Sequence, residues 1–141
     1  MKQDAEATIT AYYDALREGD ALSSFFAESL AIVKISLSDR HVGYPDVADE
    51  LSEQTATTDD WSVESHDLSV TTRDDYGWFH DDVTLAWTDT TLDTDYEFET
   101  RWTGTLEANE ADGTWQFVSL HVSAPEADLK TDEDELFNWD A

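Results

Sequence analysis

The sequence predicts an α+β fold in which helices pack on one face of a curved, mostly antiparallel sheet. Three observations predict it. The apolar residues recur with a helical period up to about residue 60 and with a period of two from Trp61 onward. The period-two half is cut by short turn signals of the kind that join antiparallel neighbours. Finally, 40% of the residues are hydrophobic and 12% aromatic, against only 5 Gly and 2 Pro, enough apolar material to close a core in a chain of 141 residues.

The elements follow in order. Ala5, Ile9, Tyr12, Tyr13 and Leu16 share one face of a helix over 5–18 that Gly19 stops. Asp20 is placed to cap a short second helix over 21–27 carrying Leu22, Phe25 and Phe26. The β-branched run 30–37 reads as a strand. Gly43-Tyr44-Pro45 opens a third helix, with Pro45 at its first position and Val47, Ala48, Leu51 and Gln54 on one stripe. Four β segments follow over 61–72, 76–90, 95–108 and 114–124, separated by Arg73-Asp74-Asp75, Asp89 to Asp93 and Asn109 to Gly113. With no internal repeat or linker, residues 1–125 read as a single domain. Residues 126–141 read as an acidic tail whose Leu129, Leu136, Phe137 and Trp139 suit a short docked helix or a partner-binding motif.

Charge and composition exclude several functions. Against 34 Asp and Glu stand 7 Lys and Arg, a formal net charge of −27. Such a surface repels phosphate backbones and anionic lipid, so neither nucleic acid nor membrane is an expected partner. The acidic residues are spread along the chain, with one block at Asp132 to Glu135. That spread points to a halophile-type protein, because a multimolar-salt cytoplasm shortens screening to about 3 Å at 1 M and makes self-repulsion tolerable. Without Cys there is no disulfide framework or thiolate chemistry. The N-terminus lacks an apolar signal region and no segment suits a membrane span, so the expected location is cytoplasmic. His41, His66, His80 and His121 never fall at a ligand spacing, and no Gly-rich phosphate loop or nucleophile elbow occurs, so neither metal nor cofactor is expected.

The last strand carries a message about assembly. Strict alternation puts Trp115, Phe117, Ser119, His121 and Ser123 on one face and Gln116, Val118, Leu120 and Val122 on the other, and both sets are largely apolar. Val83, Leu85 and Trp87 with Ala86 between them repeat this more weakly, whereas Glu97, Glu99 and Arg101 oppose Tyr96, Phe98 and Trp102 as on a solvated sheet. If helices cover one face, a second copy of the same sheet would cover the other, which predicts a homodimer through the outer sheet face.

The closing segment, from Asp112-Gly113 through Trp115, His121 and Ser123 to Pro125, resembles that of SnoaL-like proteins in the NTF2-like superfamily. It is especially similar to the branch that includes the association domain of calcium/calmodulin-dependent kinase II. Tyr12-Tyr13, Gly19-Asp20 and Gly43 are similar to the same family, so the resemblance spans residues 5 to 125. At Ser119 the sequence departs from the kinase domain, which carries a further His there. The resemblance implies an NTF2-like cone: a strongly curved mixed or antiparallel sheet wrapped around the N-terminal helices, with a ligand pocket inside and dimerisation through the outer face. For function it implies little, since this fold hosts isomerases, cyclases, dehydratases, transport factors and scaffolds.

Five residues are candidates for a site. His121, on an otherwise apolar strand, is either a general base or ligand donor, or a core histidine bonded to Ser123 or a neighbouring strand. Arg101 is the one Arg inside a predicted strand core, where it would clamp a carboxylate ligand or pair with Glu97, Glu99 or Glu107. Of the tandem tyrosines one should face the sheet and the other the helix flank, and Tyr13 is the candidate for donating to an oxyanion, as in the superfamily's steroid isomerases; the alternative is packing. Trp61 and Trp87, with Trp78 and Trp102, would line a cavity for a flat apolar ligand or serve as core.

Three functions fit. The first is a small-molecule-binding homodimer taking an apolar or carboxylate ligand. The second is an isomerase, hydratase or cyclase with His121 as base and Tyr13 or Arg101 at the oxyanion. The third is an oligomerisation or scaffold module with the tail as partner-binding element.

Overall fold

The computed structural model describes residues 4–125, so the expectation for the 126–141 tail lies outside the described residues. Two helices, α1 (Ala5–Glu18) and α2 (Tyr44–Thr57), lie against a curved, unclosed sheet of seven strands. The strands are β1 (Val33–Ile35), β2 (Arg40–Val42), β3 (Thr58–Ser65), β4 (Ser69–Arg73), β5 (Tyr76–Asp89), β6 (Thr94–Ala108) and β7 (Trp115–Ser123). They run in the order β2-β1-β7-β6-β5-β3, with β4 also paired to β5, and all pairs are antiparallel except β1 with β7. This is the expected α+β cone.

Local chemistry sets the helix ends. Asp4 caps α1 by accepting from the Ala7 N–H at 2.8 Å, and Gly19, at φ 72°, takes the left-handed conformation that closes it. The buried face of α1 holds Ala5, Thr8, Ile9, Tyr12, Tyr13, Ala15 and Leu16, so both tyrosines are core residues and neither lies on a flank. The sheet wraps α1 from more than one side, which widens its buried face beyond a single stripe.

Four expectations need correction. The second helix is reduced to a 3₁₀ turn, Ser23–Phe25, because Phe26 instead pairs with Phe117 of β7 and the Ala27 N–H donates to the Phe117 carbonyl at 3.0 Å. The strand at 30–37 contracts to β1, and a further short strand, β2, pairs back onto it. The segment at 61–72 is two strands, divided at residues 66–68, that lie end to end along β5. The fourth correction concerns β7.

In β7 the register against β6 slips by one residue: Leu106 faces Phe117, while Thr105 faces Ser119, leaving Val118 as a bulge. The bulge reverses the alternation. Trp115 and Phe117 before it and Leu120 and Val122 after it all point inward and are buried, whereas His121 is exposed on the outer face. One inward set therefore accounts for both apolar sets, and the two-sided reading of this strand does not hold. Beside the bulge β6 passes close under Phe79. A Cβ on Gly104 would lie 2.7 Å from both the Phe79 ring and the Ser119 carbonyl, so only glycine fits there.

Candidate functional site

Between α2, β1 and the inner face of β5–β7 lies a cavity of about 580 Å³, a size that suits a small organic molecule. Its two walls differ in chemistry.

One wall is aromatic. Register slips between Asp59 and Ser62 of β3, where Asp60 sits at φ 56°, so that Trp61 is turned onto Trp87 of β5. The two indoles stack at 4.8 Å with an interplanar angle of 18°, and the Trp61 Nε1–H donates to Thr58 Oγ1 at 2.9 Å. Trp102, Leu85, Leu120 and Val122 continue this wall into the cone. Bulges that re-aim a side chain are common beside functional sites, and this one builds the stacked pair.

The other wall is polar. Lys34 of β1 points inward and is 4% exposed, with its ammonium 3.1 Å from Glu50 Oε1 on α2. The approach is ionic and lacks hydrogen-bonding geometry, so Oε1 stays buried without a hydrogen-bond partner. His41 of β2, opposite Lys34 in the ladder, meets Asp46 through Nδ1 at 3.1 Å, and its Nε2 is likewise buried and unpartnered. Tyr12 closes the floor. It is 2% exposed, its ring meets Phe25, Phe26, Trp102 and Phe117 edge-on or nearly so, and its phenol makes no hydrogen bond among the described residues. Burial first and the nearby Glu50 charge second push this phenol well above the ordinary tyrosine range, so it is a neutral hydroxyl.

The five residues singled out in the sequence are dispersed. Trp61 and Trp87 line the cavity. Tyr13 is buried elsewhere in the core, donating to Asp81 Oδ2 at 2.9 Å. Asp81, itself 2% exposed, also accepts from Ser65 Oγ at 2.5 Å and from the Asp67 N–H at 2.9 Å, so the network is satisfied and structural. Arg101 and His121 are exposed on the outer face, Arg101 opposite Asp82 and Ser123, His121 opposite Thr103 and Ile35. Neither lines the cavity, for two reasons. The β7 bulge moves His121 outward, and Arg101 is outward by plain alternation with buried Trp102. Trp78 is also outward, 42% exposed beneath the Arg73 guanidinium. The residues missed were Tyr12, Lys34, His41 and Glu50. Their available signal was a lysine inside the apolar run Ile32 to Ile35 and a glutamate beside the Val47–Leu51 stripe.

Among the described residues no group of three or more His, Asp and Glu converges as a metal site, and no helix is long and apolar enough to cross a membrane.

The chain resembles several solved structures over most of its length. A nuclear transport factor 2 (NTF2-like) superfamily protein from Salmonella enterica serovar Typhimurium LT2 superposes with a TM-score of 0.73 at 15% identity, covering 84% of this chain and 86% of that one. A ketosteroid isomerase-like protein from Erwinia carotovora atroseptica gives 0.70 at 18% identity, covering 84% and 92%. A candidate calcium/calmodulin dependent protein kinase II association domain from Xanthomonas campestris gives 0.69 at 16%, covering 85% and 84%. At these identities the likeness is one of fold. No curated protein matches this sequence. Residues 5–127 match the SnoaL-like domain, and with that match over most of its length the chain belongs to the SnoaL-like family, with a fold like that of the NTF2-like structures above.

Proposed function

We propose that this protein binds a small, ring-containing molecule in the cone. The ring lies against Trp61, Trp87 and Trp102, and the polar end meets Tyr12, Lys34 and Glu50. The observation that carries this reading is the pairing of a stacked indole wall with a buried Lys34–Glu50 pair and an unpartnered phenol across one cavity of about 580 Å³. The carboxylate-ligand expectation rested on Arg101, which faces away from the cavity. A screen of ring-bearing compounds by thermal shift at about 2 M KCl tests the proposal. Stabilisation that is lost in both Trp87→Leu and Tyr12→Phe is expected. A screen with no hit dependent on these residues overturns it.

The catalytic version of the reading, an isomerase, hydratase or cyclase, would use the cavity's own groups. His41, oriented by Asp46, is the histidine positioned for proton transfer there, so His121→Ala is expected to leave binding and turnover intact.

The assembly we propose is a homodimer through the outer sheet face, supported by the likeness to an association domain and by half-buried Val33, Ile35 and Ala86 on that face. Sedimentation at high salt giving only a 15.9 kDa species would remove it.

A further inference from the structure

The cavity's charge restricts what it accepts. On α2, Asp46, Asp49, Glu50 and Glu53 stand at i, i+3, i+4 and i+7, so one helix face presents four carboxylates to the cavity. Asp39 and Asp89 add two more at its rim. Two cationic or ionisable nitrogen groups, Lys34 and His41, oppose these six, and each already has a carboxylate partner on α2 at 3.1 Å. The field inside is therefore negative, and among the described residues no free cation is left in the cavity lining to hold an anion. Among the polar atoms here, Glu50 Oε1 takes no hydrogen bond from the Lys34 ammonium 3.1 Å away, and the Tyr12 phenol, on a residue 2% exposed, has no hydrogen-bond partner among the described residues and can accept as well as donate. A ligand matching this set brings N–H donors and positive charge. Across from the carboxylates, the Trp61–Trp87 stack offers the aromatic surface that a cation or its attached ring prefers.

Building on the cavity-binding reading above, we propose that the ligand is an organic cation: an amine or amidine attached to an aromatic or alicyclic ring. The ring stacks on Trp61 and Trp87. The ammonium lies toward the carboxylate face of α2, with Tyr12 as an acceptor.

Three probes that share one ring and differ in charge test this: tryptamine (cation), indole (neutral) and indole-3-acetate (anion). Each is titrated into the full chain by calorimetry at about 1 and 2 M KCl, with the indole N–H resonances of Trp61 and Trp87 as site markers, assigned from Trp→Phe variants. Tryptamine should bind about tenfold more tightly than indole-3-acetate, and the ratio should widen at the lower salt. The variant carrying Asp49→Asn and Glu53→Gln leaves the fold alone, because both side chains are exposed and make no hydrogen bond or ion pair among the described residues. In this variant tryptamine affinity should fall about threefold with indole unchanged. If indole or indole-3-acetate shifts the Trp61 and Trp87 resonances and binds as tightly as tryptamine, the cation assignment is overturned while the cavity reading stands. A tryptamine preference untouched by the double variant overturns the assignment as well. If none of the three shifts those resonances, the cavity reading itself fails.

Discussion

Lys34 of β1 and Glu50 of α2 meet at 3.1 Å with side-chain exposures of 5% and 16%, which makes them a largely buried ion pair in a chain that carries 7 basic residues. Desolvating two charges consumes most of their mutual attraction, so the pair is worth little in net stability, yet either partner left alone is costly. Glu50→Leu leaves the Lys34 ammonium buried without its carboxylate and should destabilise the fold by about 3–5 kcal/mol. Lys34→Met should cost less, because Glu50 can turn toward solvent at the cavity. The double variant should recover to within about 1 kcal/mol of the parent, apolar replacement of buried pairs being commonly neutral. Denaturant unfolding of the four proteins at one salt concentration closes the cycle. A double variant no more stable than Glu50→Leu would show that the pair is not a coupled unit.

Tyr12 and Tyr13 give a prediction at the opposite end of the pH scale. Burial raises both phenols above their ordinary value of 10.0, helped by the Glu50 charge for Tyr12 and by the Asp81 charge and hydrogen bond for Tyr13. Above pH 10 the unfolded chain releases both protons while the folded chain keeps them. The folded state then binds two more protons, and stability falls as pH rises. The slope should approach about 2.7 kcal/mol per pH unit, about 1.4 for each phenol. Tyr13→Phe should begin less stable by about 1.5–3 kcal/mol, through loss of a hydrogen bond to a carboxylate, and should fall with half the slope. Denaturant midpoints between about pH 9 and 12, read beside phenolate absorbance, check both points. Two phenolates that form before unfolding would refute the assignment.

These two pairs also mark what the sequence discloses. Elements set by neighbours along the chain were legible: α1 with its Gly19 stop, α2 opened by Gly43 and Pro45, and the long β5–β6 hairpin around Asp89, whose side chain accepts from the Thr91 and Leu92 N–H groups. Elements set by a partner strand were not. Nothing local to Val118 announces a bulge, because the slip exists only against Thr105 and Leu106. Once it is counted, Trp115, Phe117, Leu120 and Val122 form one inward set, and the argument for a second covered face loses its main support. The site divides the same way. Trp61 and Trp87 were visible as large aromatic residues on strands. Lys34 and Glu50 acquire meaning only where β1 and α2 meet, 16 positions apart in sequence, and Tyr12 differs from Tyr13 only in which part of the cone wraps over it.

The net charge of −27 supports the last prediction. On α2 the carboxylates of Asp46, Asp49, Glu50 and Glu53 are helical neighbours, and at the β5–β6 tip Asp89, Asp93 and Asp95 crowd one turn. Each like-charged neighbour on a helix costs about 0.2–0.5 kcal/mol in dilute buffer. Few basic residues offset them, so the repulsion is summed over the whole surface. Raising salt from about 0.1 to about 1 M shortens the screening length from about 10 to about 3 Å, below the spacing of most of these charges. The buried Lys34–Glu50 pair and the apolar core are screened far less. The midpoint of thermal unfolding should therefore rise by about 10 °C or more between about 0.1 and 2 M KCl. Neutralising Asp49 and Glu53 should flatten that dependence without altering the high-salt plateau. A salt-independent midpoint would show that the acidic surface is no adaptation to salt, and it would direct attention to a basic partner for it.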